Sequence, residues 1–207
     1  MKIILLITGT LLSLITTPFA ANLLVNPGFE SPITTDGPPF VGSWEGFAGD
    51  GASAANGTAQ PRTGAQHLTL TITTTPNSFT GAFQDVAVLT GTEYTFSGWH
   101  ASASNPLNVG VELRIEWRNS TAEVSRTPNS TPVPSAAYSG FSLTATAPAG
   151  ADTARVVYAI QSFSTAPLGN GVVMVDDLSF DAVPEPSAAL FLGLGAMVLA
   201  NRRRQRA

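Results

Sequence analysis

The sequence has no cysteine, a single lysine and two histidines in 207 residues. The lack of cysteine rules out disulfides, thiolate-bound zinc and cysteine nucleophiles. Stability must therefore come from core packing, with a metal as the remaining cross-link. The lysine is Lys2, and four of the nine arginines lie in the last six residues. Residues 21–186 keep Arg62, Arg114, Arg118, Arg126 and Arg155 against all 14 acidic residues, a net charge of −9 where the whole chain has −4. So acidic a segment argues against nucleic acid and anionic membranes as partners. It suits a divalent cation or neutral glycans. Catalytic signatures are missing as well: there is no Gly-x-Ser-x-Gly elbow, phosphate-binding loop or His-Glu-x-x-His run. His67 and His100 are isolated and read as structural or surface residues, so the chain reads as a non-enzyme.

What is present begins with two addresses. Lys2 precedes an apolar run from Ile3 to Ile15, and Thr17-Pro-Phe-Ala20 offers a small-residue cleavage point after Ala20. Residues 1–20 therefore read as a signal peptide, cut by signal peptidase. A permanent N-terminal anchor is the other reading, and the short apolar run disfavours it. The far end reads Val183-Pro-Glu-Pro186, then an apolar stretch over 187–200, then Arg202, Arg203 and Arg204. About 14 apolar residues make a helix of roughly 21 Å, shorter than the roughly 20 residues a comfortable membrane span needs. Basic residues at both ends stay inside, so the segment between is exported. A short transmembrane helix behind a proline brake suits transient inner-membrane anchoring better than a permanent one.

These residues resemble the PEP-CTERM sorting signal of Gram-negative bacteria: motif 183–187 around Pro184, Glu185 and Pro186, hydrophobic helix 187–200, basic tail 202–206. The resemblance implies an exosortase as processing partner. It also implies delivery to the cell surface or extracellular space, in an exopolysaccharide or biofilm context. A simple tail anchor is the plainer alternative.

Between the addresses, alternating segments recur with turn signals between them. Asn22 to Val25 reads as a first strand ended by Asn26-Pro-Gly28. His67 to Ile72 places Leu68, Leu70 and Ile72 on one face. Phe83 to Val88 and Tyr94 to Trp99 flank a turn at Gly91. In Val109 to Trp117, Val111, Leu113, Ile115 and Trp117 share one face, opposite Glu112, Arg114, Glu116 and Arg118. Phe141 to Ala147, Arg155 to Ile160 and Val172 to Phe180 complete eight or nine strands. Residues 31–64 and 119–140 read as long loops. No helix is expected inside this region, and the pattern points to an all-β sandwich over residues 22–181, followed by the sorting signal at 182–207.

Three pieces stand out within that region: Asn22-Leu-Leu-Val-Asn-Pro-Gly-Phe-Glu30, Thr63-Gly-Ala-Gln-His-Leu-Thr-Leu70 and Val172-Val-Met-Val-Asp-Asp-Leu-Ser-Phe180. With Gln84-Asp-Val and Gly91 to Trp99, the ordered set resembles carbohydrate-binding modules of the family 4/9-like type, which have a galactose-binding-like jelly roll. The resemblance implies a structural calcium held by the carbonyls of Gly28, Thr63 and Gln66 and the carboxylates of Glu30 and Asp176. Hard oxygen donors and two acids suit that ion. Glu30 and Asp176 as turn or salt-bridge residues is the other reading of the same positions. Strand alternation places Asp176 and Asp177 on opposite faces.

A glycan site needs rings for the CH faces of sugars and polar groups for their hydroxyls. Phe79, Trp44 and Tyr138 fall in expected loops and are the candidate rings. Trp99 and Trp117 read as structural. Glu112, Arg114 and Glu116, with Arg118, read either as one wall of a cleft or as a solvated face of ion pairs. The function expected is a non-catalytic, exported protein whose domain binds polysaccharide. The alternative is a structural surface protein that keeps the jelly roll without binding soluble glycan.

Overall fold

The computed structural model describes residues 21–40, 42–73, 77–104, 106–162 and 170–184. The signal peptide, the hydrophobic segment 187–200, and Glu185, Pro186, Arg202, Arg203 and Arg204 lie outside the described residues. Ten strands run in chain order: β1 Glu45–Ala48, β2 Ala52–Gly57, β3 His67–Ile72, β4 Phe79–Ala87, β5 Glu93–Ser102, β6 Gly110–Asn119, β7 Ala122–Arg126, β8 Ser139–Thr146, β9 Thr153–Gln161 and β10 Gly171–Ala182. They form two five-stranded sheets, β1-β4-β9-β6-β7 and β2-β3-β10-β5-β8, paired antiparallel throughout. This is the jelly-roll sandwich expected, and no helix occurs among the described residues.

The core follows the period-2 pattern. Leu68, Leu70 and Ile72 of β3 are buried, as are Val111, Leu113, Ile115 and Trp117 of β6. Between the sheets Tyr94 stacks on Phe180 with ring centres 5.0 Å apart and planes 13° off parallel. Trp44, a candidate glycan contact by sequence, is instead fully buried. Its ring meets Phe29 at 5.1 Å, and its indole N–H donates to the Asn26 carbonyl at 3.0 Å. The indole fills the core because its single donor finds a backbone partner there. It offers no platform to a ligand.

Two expected loops contain strands. The segment 31–64 holds β1 and β2, and 119–140 holds β7. Glu-Gly-Phe-Ala and Ala-Ser-Ala-Ala-Asn-Gly carry few β-branched residues, and every residue of β7 is exposed. Edge strands need little burial, so their alternation is faint.

The expected first strand at Asn22 to Val25 is not a strand. It is tied across both sheets by other means. The Leu23 N–H donates to the Phe180 carbonyl at 2.9 Å. The Gln84 side chain takes the Val25 N–H at 2.8 Å and returns a bond to the Val25 carbonyl at 2.9 Å. Thus one amide side chain replaces a ladder. Asn26 with φ 54 then turns the chain away.

Candidate functional site

The outer face of the first sheet carries a cavity of about 370 Å³. Cross-strand register builds it in rows. Phe47, Gly81, Ala159 and Glu112 stand side by side across β1, β4, β9 and β6. The next row is Glu45, Phe83, Val157 and Arg114, and the next Asp85, Arg155 and Glu116. One flank of the cavity is therefore aromatic (Phe47, Phe79, Phe83), the floor is Val157 and Ala159, and the other flank is the charged face of β6.

The aromatic flank is held by close approach. A side-chain carbon at Gly81 would lie 2.6 Å from the Phe47 ring and 2.6 Å from the Tyr158 carbonyl, so only glycine lets the ring lie over β4. Phe79 is 42% exposed, the open end of this flank. The Arg155 guanidinium sits 3.8 Å from the Phe83 ring centre and is bidentate to Asp85 at 2.7 and 2.8 Å. It caps the apolar strip with a charge already neutralised.

On the charged flank, Arg114 pairs with Glu112 and, at 2.7 Å, with Glu116, which also meets Arg118 at 3.3 Å. The sequence left open a cleft wall or a solvated ladder. Glu112, Arg114 and Glu116 line the cavity, and their ion pairs run along the strand rather than across it. Of the candidate glycan contacts, Phe79, Glu112, Arg114 and Glu116 come together here. Tyr138 does not: its hydroxyl donates to the Gln60 carbonyl at 3.2 Å. Its phenol is pushed up to about 12 by burial and then by the nearby Asp176 and Asp177 charges.

The sequence reading missed Phe47, Phe83 and Arg155. Phe79, Gly81, Phe83 and Asp85 have strand spacing and share one face. That spacing was available as a signal. Both faces of β4 are largely apolar, however, so spacing alone did not say which one looks outward.

The expected calcium residues meet at one end of the sandwich. The Glu30 carboxylate accepts the Ala65 N–H at 3.0 and 3.1 Å and the Gln66 N–H at 3.2 Å. Gly64, with φ +59, passes so close that a side-chain carbon there would sit 2.0 Å from Glu30 Oε1. The Asp176 carboxylate accepts the Arg62 N–H at 2.8 Å and the Thr63 N–H at 3.2 Å. A carbon at Gly28 would be 3.6 Å from Asp176 Oδ1. Thr63 and Gln66 thus meet the acids through their N–H groups, not through the expected carbonyls.

Asp176 is 0% exposed, and among the described residues no arginine or lysine pairs with it. Burial pushes its carboxyl above the ordinary range, against the pull of the Thr63, Asp177 and Arg62 N–H groups. A buried acid without a counter-charge, beside a second acid and a glycine-lined turn, fits a hard cation in its donor chemistry. Among the described residues no three His, Cys, Asp or Glu side chains gather into one group. A cation here would therefore depend on backbone oxygens for most of its ligands.

Asp176 and Asp177 do not point to opposite faces. The β10–β5 register shifts between Asp176 and Ser179, and Asp177 has φ 48. The bulge turns both acids onto the same loop. Asp177 takes the Thr63 hydroxyl at 2.6 Å and the Arg62 guanidinium.

Comparison with known proteins adds two findings. The PEP-CTERM protein-sorting motif matches residues 182–204. No curated protein matches the sequence. Among solved structures, a family 4 carbohydrate-binding module ("CBM4 structure and function") aligns at 17% identity and TM-score 0.55, over 77% of this chain and 99% of that one. The module TmCBM61, solved with beta-1,4-galactotriose, aligns at 12% identity and TM-score 0.53, over 79% and 100%. The enzymatically active domain of bacteriophage CBA120 tailspike protein 4 aligns at 13% and TM-score 0.58, over 78% of this chain and only 21% of that one. The chain is thus a jelly-roll sandwich similar in fold to carbohydrate-binding modules, carrying a PEP-CTERM sorting motif over residues 182–204.

Proposed function

We propose that the sandwich binds a neutral oligosaccharide in the first-sheet cleft, without catalysis, in the exopolysaccharide or biofilm layer of a Gram-negative cell. The observation that carries this reading is the two-sided cavity: phenylalanine rings and valine on one side, Arg114 between two glutamates on the other. Rings take the CH face of a sugar, and fixed charged groups take its hydroxyls. The arginines on the cleft are balanced by acids, so nothing there selects an anionic chain.

In the same reading signal peptidase removes residues 1–20. The apolar segment 187–200 anchors the protein transiently in the inner membrane, and an exosortase acts at the motif. A structural calcium would be held by the carboxylates of Glu30 and Asp176 and the carbonyl of Gly28, with the carbonyls of Thr63 and Gln66 turned to it in place of the N–H groups that now meet the acids. It would fasten the chain's entry to β10, the role a disulfide has elsewhere.

Affinity electrophoresis through neutral polysaccharides tests the binding. Retardation that falls in Phe79→Ala is the expected result. No retardation by any polysaccharide would favour the second reading, a surface protein that keeps the fold without a soluble ligand. One observation favours that alternative: among the described residues no tyrosine or tryptophan lines the cleft.

A further inference from the structure

The opposite sheet carries its own trough, of about 470 Å³, on the outer face of β5, β8 and β10. Trp99 is its platform. Of the three tryptophans, Trp44 and Trp117 are 0% and 3% exposed, while Trp99 is 36% exposed. The Arg62 guanidinium lies 3.9 Å from the Trp99 ring centre and is pinned by its ion pair with Asp177. The guanidinium covers one face of the ring and braces it, which lowers the ordering cost of stacking against the exposed remainder.

The flanks are polar and small. Ser142, Ser97 and Ser179 stand in one cross-strand row over β8, β5 and β10. Gly140 pairs with Trp99 across β5 and β8. A side-chain carbon at Gly140 would lie 3.9 Å from Cη2 and Cζ3 of the indole, so a larger residue there would lie against the edge of the ring.

We infer that this trough is a second saccharide site, which takes a neutral sugar ring on Trp99 with its hydroxyls on the serine row and Asp177. One apolar ring beside a line of hydroxyls matches a molecule with an apolar CH face and a polar rim. An apolar ligand would take water from the Ser97 and Ser142 hydroxyls and from the Asp177 carboxylate without replacing its bonds. An anionic ligand would meet Asp177, whose cation among the described residues is the already paired Arg62. The site is on the other sheet from the cleft of Phe79, and the inference does not rest on that cleft's function.

Trp99 is also the reporter, because the other two indoles are buried. The whole protein is titrated to millimolar concentration with xylohexaose, cellohexaose and β-1,4-galactotriose, and indole emission is followed. At least one probe is expected to shift the emission in the natural protein and equally in Phe79→Ala. Gly140→Leu, which lays a side chain over the indole edge, should weaken that response about tenfold or more. Its melting temperature should stay within the small change expected of an exposed edge-strand position. Ser142→Gln, exposed on the same strand, serves if Gly140→Leu does not fold. No response to any probe overturns the inference. So does a response undiminished in the blocking variants, or one that disappears in Phe79→Ala.

Discussion

Arg62 joins two features that the chain keeps far apart. Its backbone N–H bonds the buried Asp176 carboxylate at 2.8 Å, and its guanidinium lies 3.9 Å from the centre of the Trp99 ring. Any change in how the 62–66 loop meets Asp176 is therefore passed to the one exposed indole.

This gives the calcium proposal an optical test. Adding calcium to chelator-treated protein should change Trp99 emission and raise the melting temperature. A ligand at a hundred times its Kd stabilises by about 2.7 kcal/mol. Asp176→Asn should lose both effects while Asp85→Asn, on the other sheet, keeps them. A melting temperature indifferent to calcium and to chelator removes the metal from the account.

The cleft and the core make opposite predictions for two rings. Phe79 is 42% exposed, so Phe79→Ala should leave stability within about 0.5 kcal/mol and weaken oligosaccharide binding about tenfold. Trp44 is fully buried and its indole N–H is satisfied by Asn26. Trp44→Ala should cost about 3–5 kcal/mol by denaturant unfolding without direct effect on the affinity of protein that remains folded.

The contrast shows what the sequence could say. The strand Val111 to Trp117 was legible because its two faces differ in kind, aliphatic against charged. Within β4 the strand Phe83 to Val88 was legible but its outward face was not, since Phe79, Ala82, Phe83 and Val86 put apolar residues on both faces. Trp44 was misplaced because its neighbours are glycine- and proline-rich, which reads as a loop. Its burial depends on Phe29 and Asn26, contacts that only tertiary folding creates. The two acids of β10 were legible as important residues. Their shared orientation was not, because it follows from a bulge at Asp177 that alternation cannot show. Glu30 and Asp176 came from resemblance, and each bonds N–H groups of the 62–66 loop.

Arg114 supports both stability and binding. It bridges Glu112 and Glu116, and the three side chains are 17%, 13% and 8% exposed. Arg114→Met keeps the packing of the stem and removes the charge between two partly buried acids. A loss of about 1–3 kcal/mol by urea unfolding is expected, together with loss of retardation on neutral polysaccharide. Arg126→Met is the control. Its pair with Glu123 lies at the exposed edge, with side chains 49% and 30% exposed, and its removal should change stability by less than about 1 kcal/mol.

His100 is 1% exposed, hydrogen-bonded through Nδ1 to the Tyr158 hydroxyl at 2.7 Å, and packed against Phe141 at 5.0 Å. Burial lowers its imidazole to about 4 from the ordinary 6.5. Between those values the unfolded chain binds a proton that the folded one refuses. His100 therefore adds to stability fully above pH 6.5, and this is lost as pH falls toward 4, by up to about 3 kcal/mol. His67, also lowered by burial, acts in the same sense. Asp176, raised by burial, acts in the opposite sense over the carboxylate range. Urea midpoints measured from pH 7 to pH 4.5 should fall, and His100→Gln, which keeps a hydrogen-bonding side chain without a titrating ring, should flatten the slope without removing it. An unchanged slope in that variant would assign the acid sensitivity elsewhere.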